Sequence, residues 1–82
     1  MRLDRLLVFL RFARTRSIAR TMIESGQMRL NSQRVTKISQ EVGIGDVLTL
    51  ALRGEICVAR IEQLPERRLS APQAALAWSR IA

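Results

Sequence analysis

Nine basic side chains fall within residues 1–40, namely Arg2, Arg5, Arg11, Arg14, Arg16, Arg20, Arg29, Arg34 and Lys37, and only Asp4 and Glu24 oppose them. Residues 41–82 carry five bases (Arg53, Arg60, Arg67, Arg68, Arg80) and five acids (Glu41, Asp46, Glu55, Glu62, Glu66), so the formal charge of +7 resides in the first half. Charge segregated in this way is the footprint of a phosphate-binding surface. All but one of the fourteen bases are arginine, whose planar fork grips a phosphate bidentately or lies flat on a base, as lysine cannot. Arg2, Arg5, Arg11, Arg14, Arg16, Arg20, Arg34 and Lys37 are the candidate phosphate-binding residues, with Arg11, Arg16, Arg5 and Arg14 foremost.

Other chemistry is poorly supplied. There is no histidine and a single cysteine, Cys57, which removes disulfide frameworks, most zinc sites and the commonest general acid or base. No catalytic residue, metal or cofactor is expected. Cys57 lies in Ile56-Cys57-Val58-Ala59 and reads as a buried strand thiol. The longest apolar run, Leu6 to Leu10, is far short of a membrane span. The N-terminus lacks the apolar segment of a signal peptide, so the expected location is cytoplasmic.

Holding eight long side chains in one arrangement requires a rigid frame, because ordering them costs entropy. Leu3, Leu6, Leu7, Leu10 and Ala13 recur at helical spacing and predict a first helix with one buried stripe. Asp4 suits the positive end of its macrodipole. After Arg14-Thr15-Arg16, Ser17 is placed to cap a second helix with Ile18, Ala19, Met22 and Ile23 on its apolar face and Gly26 as its stop. Arg20 and Glu24 stand four apart on that helix, a spacing that permits pairing. Phe9 and Phe12 suit core packing, with stacking on unpaired bases as the alternative.

Beyond Gly26 the period shortens. Met28 and Leu30 alternate with polar residues, and Asn31-Ser32-Gln33 offers a turn before Arg34-Val35. Val47 to Leu52 reads as a strand with Leu48, Leu50 and Leu52 on one face, and Arg53-Gly54 turns it into an antiparallel partner from Glu55 to Glu62. Ser70-Ala71-Pro72-Gln73 has the form of a capping box, opening a last helix with Ala74, Ala77, Trp78 and Ile81 on one face. The fold class is α+β: two N-terminal helices on a small, mostly antiparallel sheet, with a short C-terminal helix. Residues 1–66 are expected to form the domain that bears the basic surface, and residues 67–82 a C-terminal helical extension packed on it.

This order of elements resembles the RNA-binding domain of the small-subunit ribosomal protein four type, also called the alpha-L motif. The resemblance covers roughly residues 2–53. It rests on Arg2-Leu3-Asp4-Arg5, Arg11, Thr15-Arg16-Ser17 with Ala19, Gly26 through Gln33, and Gly45-Asp46. Within that family the Thr15-Arg16-Ser17 junction and the ending from Arg67 to Leu76 look most like the fifteen-kilodalton bacterial heat-shock proteins. That likeness implies a ribosome-associated protein, with the stalled large subunit as its partner. The chain departs from those relatives at Leu6 and Val8, where they commonly place tryptophan, and in stopping at Ala82 without their charged C-terminal extension.

The expected function is therefore non-catalytic recognition of structured RNA, with ribosomal RNA of the large subunit as the target the resemblance implies, by a monomer. A helix-turn-helix DNA-binding protein is the alternative, since a short junction between two helices fits that motif as well. It is less well supported, because the second helix presents only Arg20, Thr21 and Glu24 to base edges. A membrane-surface role would need the apolar stripe that the core requires. Nor has a chain of 82 residues room to carry the catalytic part of a modifying enzyme.

Overall fold

The first helix forms where the apolar stripe predicts it. In this computed structural model, which describes residues 1–82, α1 runs over Leu3–Phe9, and Leu3, Leu6, Leu7, Leu10 and Ala13 are all buried. Its first-turn N–H groups are satisfied from outside the helix. Leu3 N–H donates to Gln40 O at 2.8 Å and Asp4 N–H to Ile38 O at 3.2 Å, so the loop that follows the first hairpin is docked on this end. At the other end Arg11 N–H donates to Val8 O at 3.1 Å and Phe12 N–H to Leu7 O at 2.9 Å. This is a Schellman closure, with Arg11 left-handed at φ 65° where glycine is usual.

The second helix, α2, spans Arg16–Glu24, and its cap differs from the expected one. Thr15, not Ser17, is the N-cap, its Oγ1 accepting from Ile18 N–H at 3.2 Å. Thr15 is extended (φ −136°, ψ 166°), which sets its hydroxyl over the N–H three residues on, and Ser17 is already inside the helix. Ala19 and Ile23 are buried and Met22 partly so, but Ile18 is exposed, since it lies about 100° round the helix from Ala19. Gly26 ends the helix as expected, left-handed at φ 77°.

The strands follow the turn chemistry. β1 (Arg29–Leu30) and β2 (Gln33–Arg34) are joined by Asn31 and Ser32, at φ 51° and 71°. β3 (Val47–Leu52) and β4 (Glu55–Ile61) are joined by Arg53 and Gly54, at φ 52° and 80°. Two consecutive residues at positive φ match the right-handed twist of the flanking strands. Leu48, Leu50 and Cys57 point into the core, while Leu52 is half-buried.

Beyond Leu64 the expectation of a longer last helix is corrected. α3 covers Ala71–Leu76 and carries the expected capping box between Ser70 and Gln73. The chain then leaves the helix, and Trp78–Arg80 forms β5 against β4, with Ile61 opposite Trp78 and Ala59 opposite Arg80. Without β5 the backbone groups of β4 on that side would be left unpaired, and pairing an open edge is favoured over one further turn of a short helix. The five strands form one antiparallel sheet in the order β2-β1-β3-β4-β5. A radius of gyration of 11.1 Å, against roughly 12 Å for a folded chain of this length, leaves no projecting tail.

Candidate nucleic-acid interface

Asp4 organises one end of the helix pair. Its side chain is fully buried beneath two arginines that remain 40% and 55% exposed. Arg2 Nε and Nη2 donate to its two oxygens at 3.1 Å each, Arg5 N–H donates to Oδ1 at 2.9 Å, and Arg16 Nε lies 3.5 Å from Oδ2. Burial alone pushes this carboxyl up. The Arg2 hydrogen bonds and charge, the Arg5 N–H and the Arg16 charge outweigh burial and hold it below the ordinary carboxylate value. A carboxylate at the second position of α1 therefore ties α1 to the first residue of α2.

From the sequence, Asp4 reads as a helix-dipole partner and a surface ion-pair partner for some of the arginines. Its full role depends on the short junction turning Arg16 back over α1, which no local pattern reports.

The predicted arginines fall in three places. Arg2, Arg5 and Arg16 stand around Asp4, and the loop carrying Lys37 reaches the same end through its Ile38 and Gln40 carbonyls. Arg20 is one turn further along α2 from Arg16 and exposed. The four ion pairs of the structure do not include Arg20 with Glu24, so the pairing allowed by their spacing is not made. Arg34 is exposed on β2, at the sheet edge opposite β5.

Arg11 follows the C-cap of α1, and Arg14 lies in the junction just before α2. There they line a broad open groove that also takes in Arg53, Arg68 and Arg80. These last three belong to the half of the sequence whose net charge is zero. Summing charge along the chain hides them, because the β3–β4 turn, the segment before α3 and β5 carry them to one place in space.

The remaining candidates resolve simply. Phe12 meets Trp78 edge-on, with ring centroids 5.0 Å apart and planes at 68°, and both pack against the core. Trp78 thus anchors β5 rather than a helix. Asn31 Oδ1 accepts from Val47 N–H at 2.9 Å, and its Nδ2 donates to Asp46 Oδ1 at 3.1 Å, so this side chain serves the turn. Leu6 is fully buried, and no base can stack at that position. No group of three or more histidine, cysteine or carboxylate side chains is placed to hold a metal ion, and no helix is long and apolar enough to cross a membrane.

The S4 domain model matches residues 1–48, the span that contains α1, α2 and the first hairpin. The chain is 42% identical over 78 residues to a heat shock protein 15 homolog of Haemophilus influenzae, covering 95% of this chain and 59% of that protein. It is 37% identical to heat shock protein 15 of Escherichia coli K12, over all of this chain and 61% of the relative. It thus spans about three-fifths of the length of these relatives. A solved structure of Vibrio cholerae heat shock protein 15, described as trimeric, superposes with a TM-score of 0.92 at 36% identity, covering the whole of this chain and 82% of that one. Matched over more than half its length by the S4 model and overlaid throughout by a heat shock protein 15, the chain belongs to the S4-domain family of RNA-binding proteins.

Proposed function

We propose that this chain is a non-catalytic RNA-binding protein that grips structured RNA, namely ribosomal RNA of the large subunit, through the arginine surface of its helix pair. The observation that carries this reading is the Asp4 clamp. One buried carboxylate orients Arg2 and Arg16 across two helices at once, while Arg5, Arg20 and Lys37 make no ion pair and keep their full charge for phosphates. Guanidinium groups held on a preformed frame lose less entropy on binding than free ones. A-form RNA offers its backbone and its shallow minor groove, and shape is what such a frame reads.

The large subunit is the target implied by the resemblance to the fifteen-kilodalton heat-shock proteins. It sets the place of action in the cytoplasm, with the protein binding as a monomer.

The test is fluorescence anisotropy with a blunt hairpin from large-subunit ribosomal RNA and a length-matched DNA duplex, titrated across salt. The variant is Arg5→Gln/Arg20→Gln, two side chains that make no hydrogen bond or ion pair within the protein, so stability is unaffected. The reading requires preference for RNA and a log–log salt slope that falls by roughly 0.7 to 0.9 per contact removed. Equal binding of both duplexes, or a variant that binds like the wild type, refutes it.

A further inference from the structure

The groove at the far end of α1 lies largely outside the residues matched by the S4 model. Arg53 comes from the tip of the β3–β4 hairpin, Arg68 from the segment before α3, and Arg80 from β5. They face Arg11 and Arg14 from the helix junction. The one acid in the lining, Glu55, stands 3.9 Å from Arg80. Five guanidinium groups against one carboxylate leave the groove strongly positive.

Three of these guanidinium groups are oriented by backbone oxygens, and only Arg80 is paired with an acid. Arg11 Nη1 donates to Leu69 O and Arg68 Nη1 to Arg14 O, each at 3.3 Å, so the two arginines cross-tie the helix junction and the segment before α3. Arg80 Nη2 donates to Ile56 O at 3.5 Å. A carbonyl acceptor fixes the direction of the fork and leaves its charge for an incoming anion. Trp78 also lines the groove, partly buried against the core and braced edge-on by Phe12.

We propose that this groove holds a single-stranded RNA segment leaving the structured RNA bound on the helix pair, its phosphates on Arg53, Arg68 and Arg80 and a base stacked on Trp78. The proposal rests on the RNA-binding reading and extends it to a second contact of different chemistry. Charged forks beside a rigid indole are what sequence-tolerant single-strand sites use. A duplex keeps its bases stacked away from the groove floor and would meet only the rim. Arg11 and Arg14 lie where the groove joins the helix pair, which makes the two contacts continuous. An acidic peptide would satisfy the charge, but it has no flat face for Trp78.

Trp78 is the only tryptophan of the chain, so its fluorescence reports occupancy directly. The probes are a uridine decamer, a decaglutamate peptide, the blunt ribosomal hairpin, and that hairpin with a ten-nucleotide single-stranded tail. The variant is Arg53→Asn/Arg68→Gln. Asn tolerates the left-handed backbone at position 53 (φ 52°) better than Arg does, and a thermal melt confirms that the fold is retained.

The proposal requires that the uridine decamer quench Trp78 and that the tail tighten hairpin binding. It further requires that the double variant lose that gain, about tenfold, and lower the salt slope by about 0.7 per missing contact, with blunt-hairpin affinity unchanged. It is overturned if the decamer leaves the fluorescence unaltered, if decaglutamate binds and quenches equally, or if the variant weakens the blunt hairpin as much as the tailed one. Hairpin binding without any effect of the tail rejects the groove alone, whereas loss of all RNA binding rejects the helix-pair reading with it.

Discussion

Arg16, the first residue of α2, lies 3.5 Å from the buried carboxylate of Asp4 on α1. A single ion pair thus spans the junction of the two helices, and the same carboxylate takes both donors of Arg2. The clamp holds as long as Asp4 is ionised.

Acid should therefore loosen the fold through this group. Asp4 has a folded-state value below its unfolded one, so its contribution is fully present above the unfolded value, near pH 4. It is lost as pH falls through the folded value. Urea midpoints measured between pH 2 and 7 should show a fall below about pH 4 in the wild type, flattened in Asp4→Asn. At neutral pH, Asp4→Ala should cost about 2 kcal/mol, the scale of charge-assisted hydrogen bonds. An unaltered acid limb in Asp4→Asn would mean that another carboxylate governs it.

The N-cap of α2 gives a sharper contrast, because two hydroxyls two residues apart compete for the role. Thr15→Ala removes the acceptor for Ile18 N–H and should cost about 1 kcal/mol. Ser17→Ala should change stability by less than about 0.5 kcal/mol, as surface substitutions away from such features do. Thermal melts of the two variants side by side distinguish them, and the reverse order would move the cap to Ser17.

Both helices, both hairpin turns and the capping box before α3 were legible because each is a local pattern, such as the repeat of Leu3, Leu6, Leu7 and Leu10 or the pair Arg53-Gly54. What stayed hidden is non-local. Trp78 reads as a helix residue because Ala74, Ala77 and Ile81 keep helical spacing and no glycine marks a stop, yet the open edge of β4 draws it into the sheet. Arg53, Arg68 and Arg80 were balanced by acids along the chain and are separated from most of them in space. Asp4 reads as a dipole partner or surface pair because its second arginine lies across a turn. Periodicity records which face is buried; it does not record which distant side chains share a pocket.

Asn31 carries two hydrogen bonds to the segment that enters β3 in addition to its left-handed backbone. Asn31→Gly keeps the backbone option and deletes the bonds, at a cost of roughly 1 to 2 kcal/mol added to the entropy of a freer unfolded chain. Asn31→Ala should cost more, because it adds the strain of φ 51°. Equal destabilisation in the two variants, read from urea unfolding, would show that the strain is negligible and the bonds carry the effect.

Arg11 separates stability from binding. It occupies the left-handed position that closes α1, at φ 65°, where a side chain costs about 1 kcal/mol relative to glycine. It makes only one side-chain hydrogen bond, to Leu69 O at 3.3 Å on an exposed surface. Arg11→Gly should therefore hold or raise the melting temperature, by a few degrees at most for a domain of this size. It should also weaken RNA binding and lower the salt slope by about one contact, since its guanidinium stands where the helix pair meets the groove. Calorimetry and anisotropy on the same preparation test both halves. A variant that is more stable and binds as well as the wild type would remove Arg11 from the interface, whereas one that binds poorly because it melts early would show that the tie to Leu69, not the backbone strain, dominates at this position.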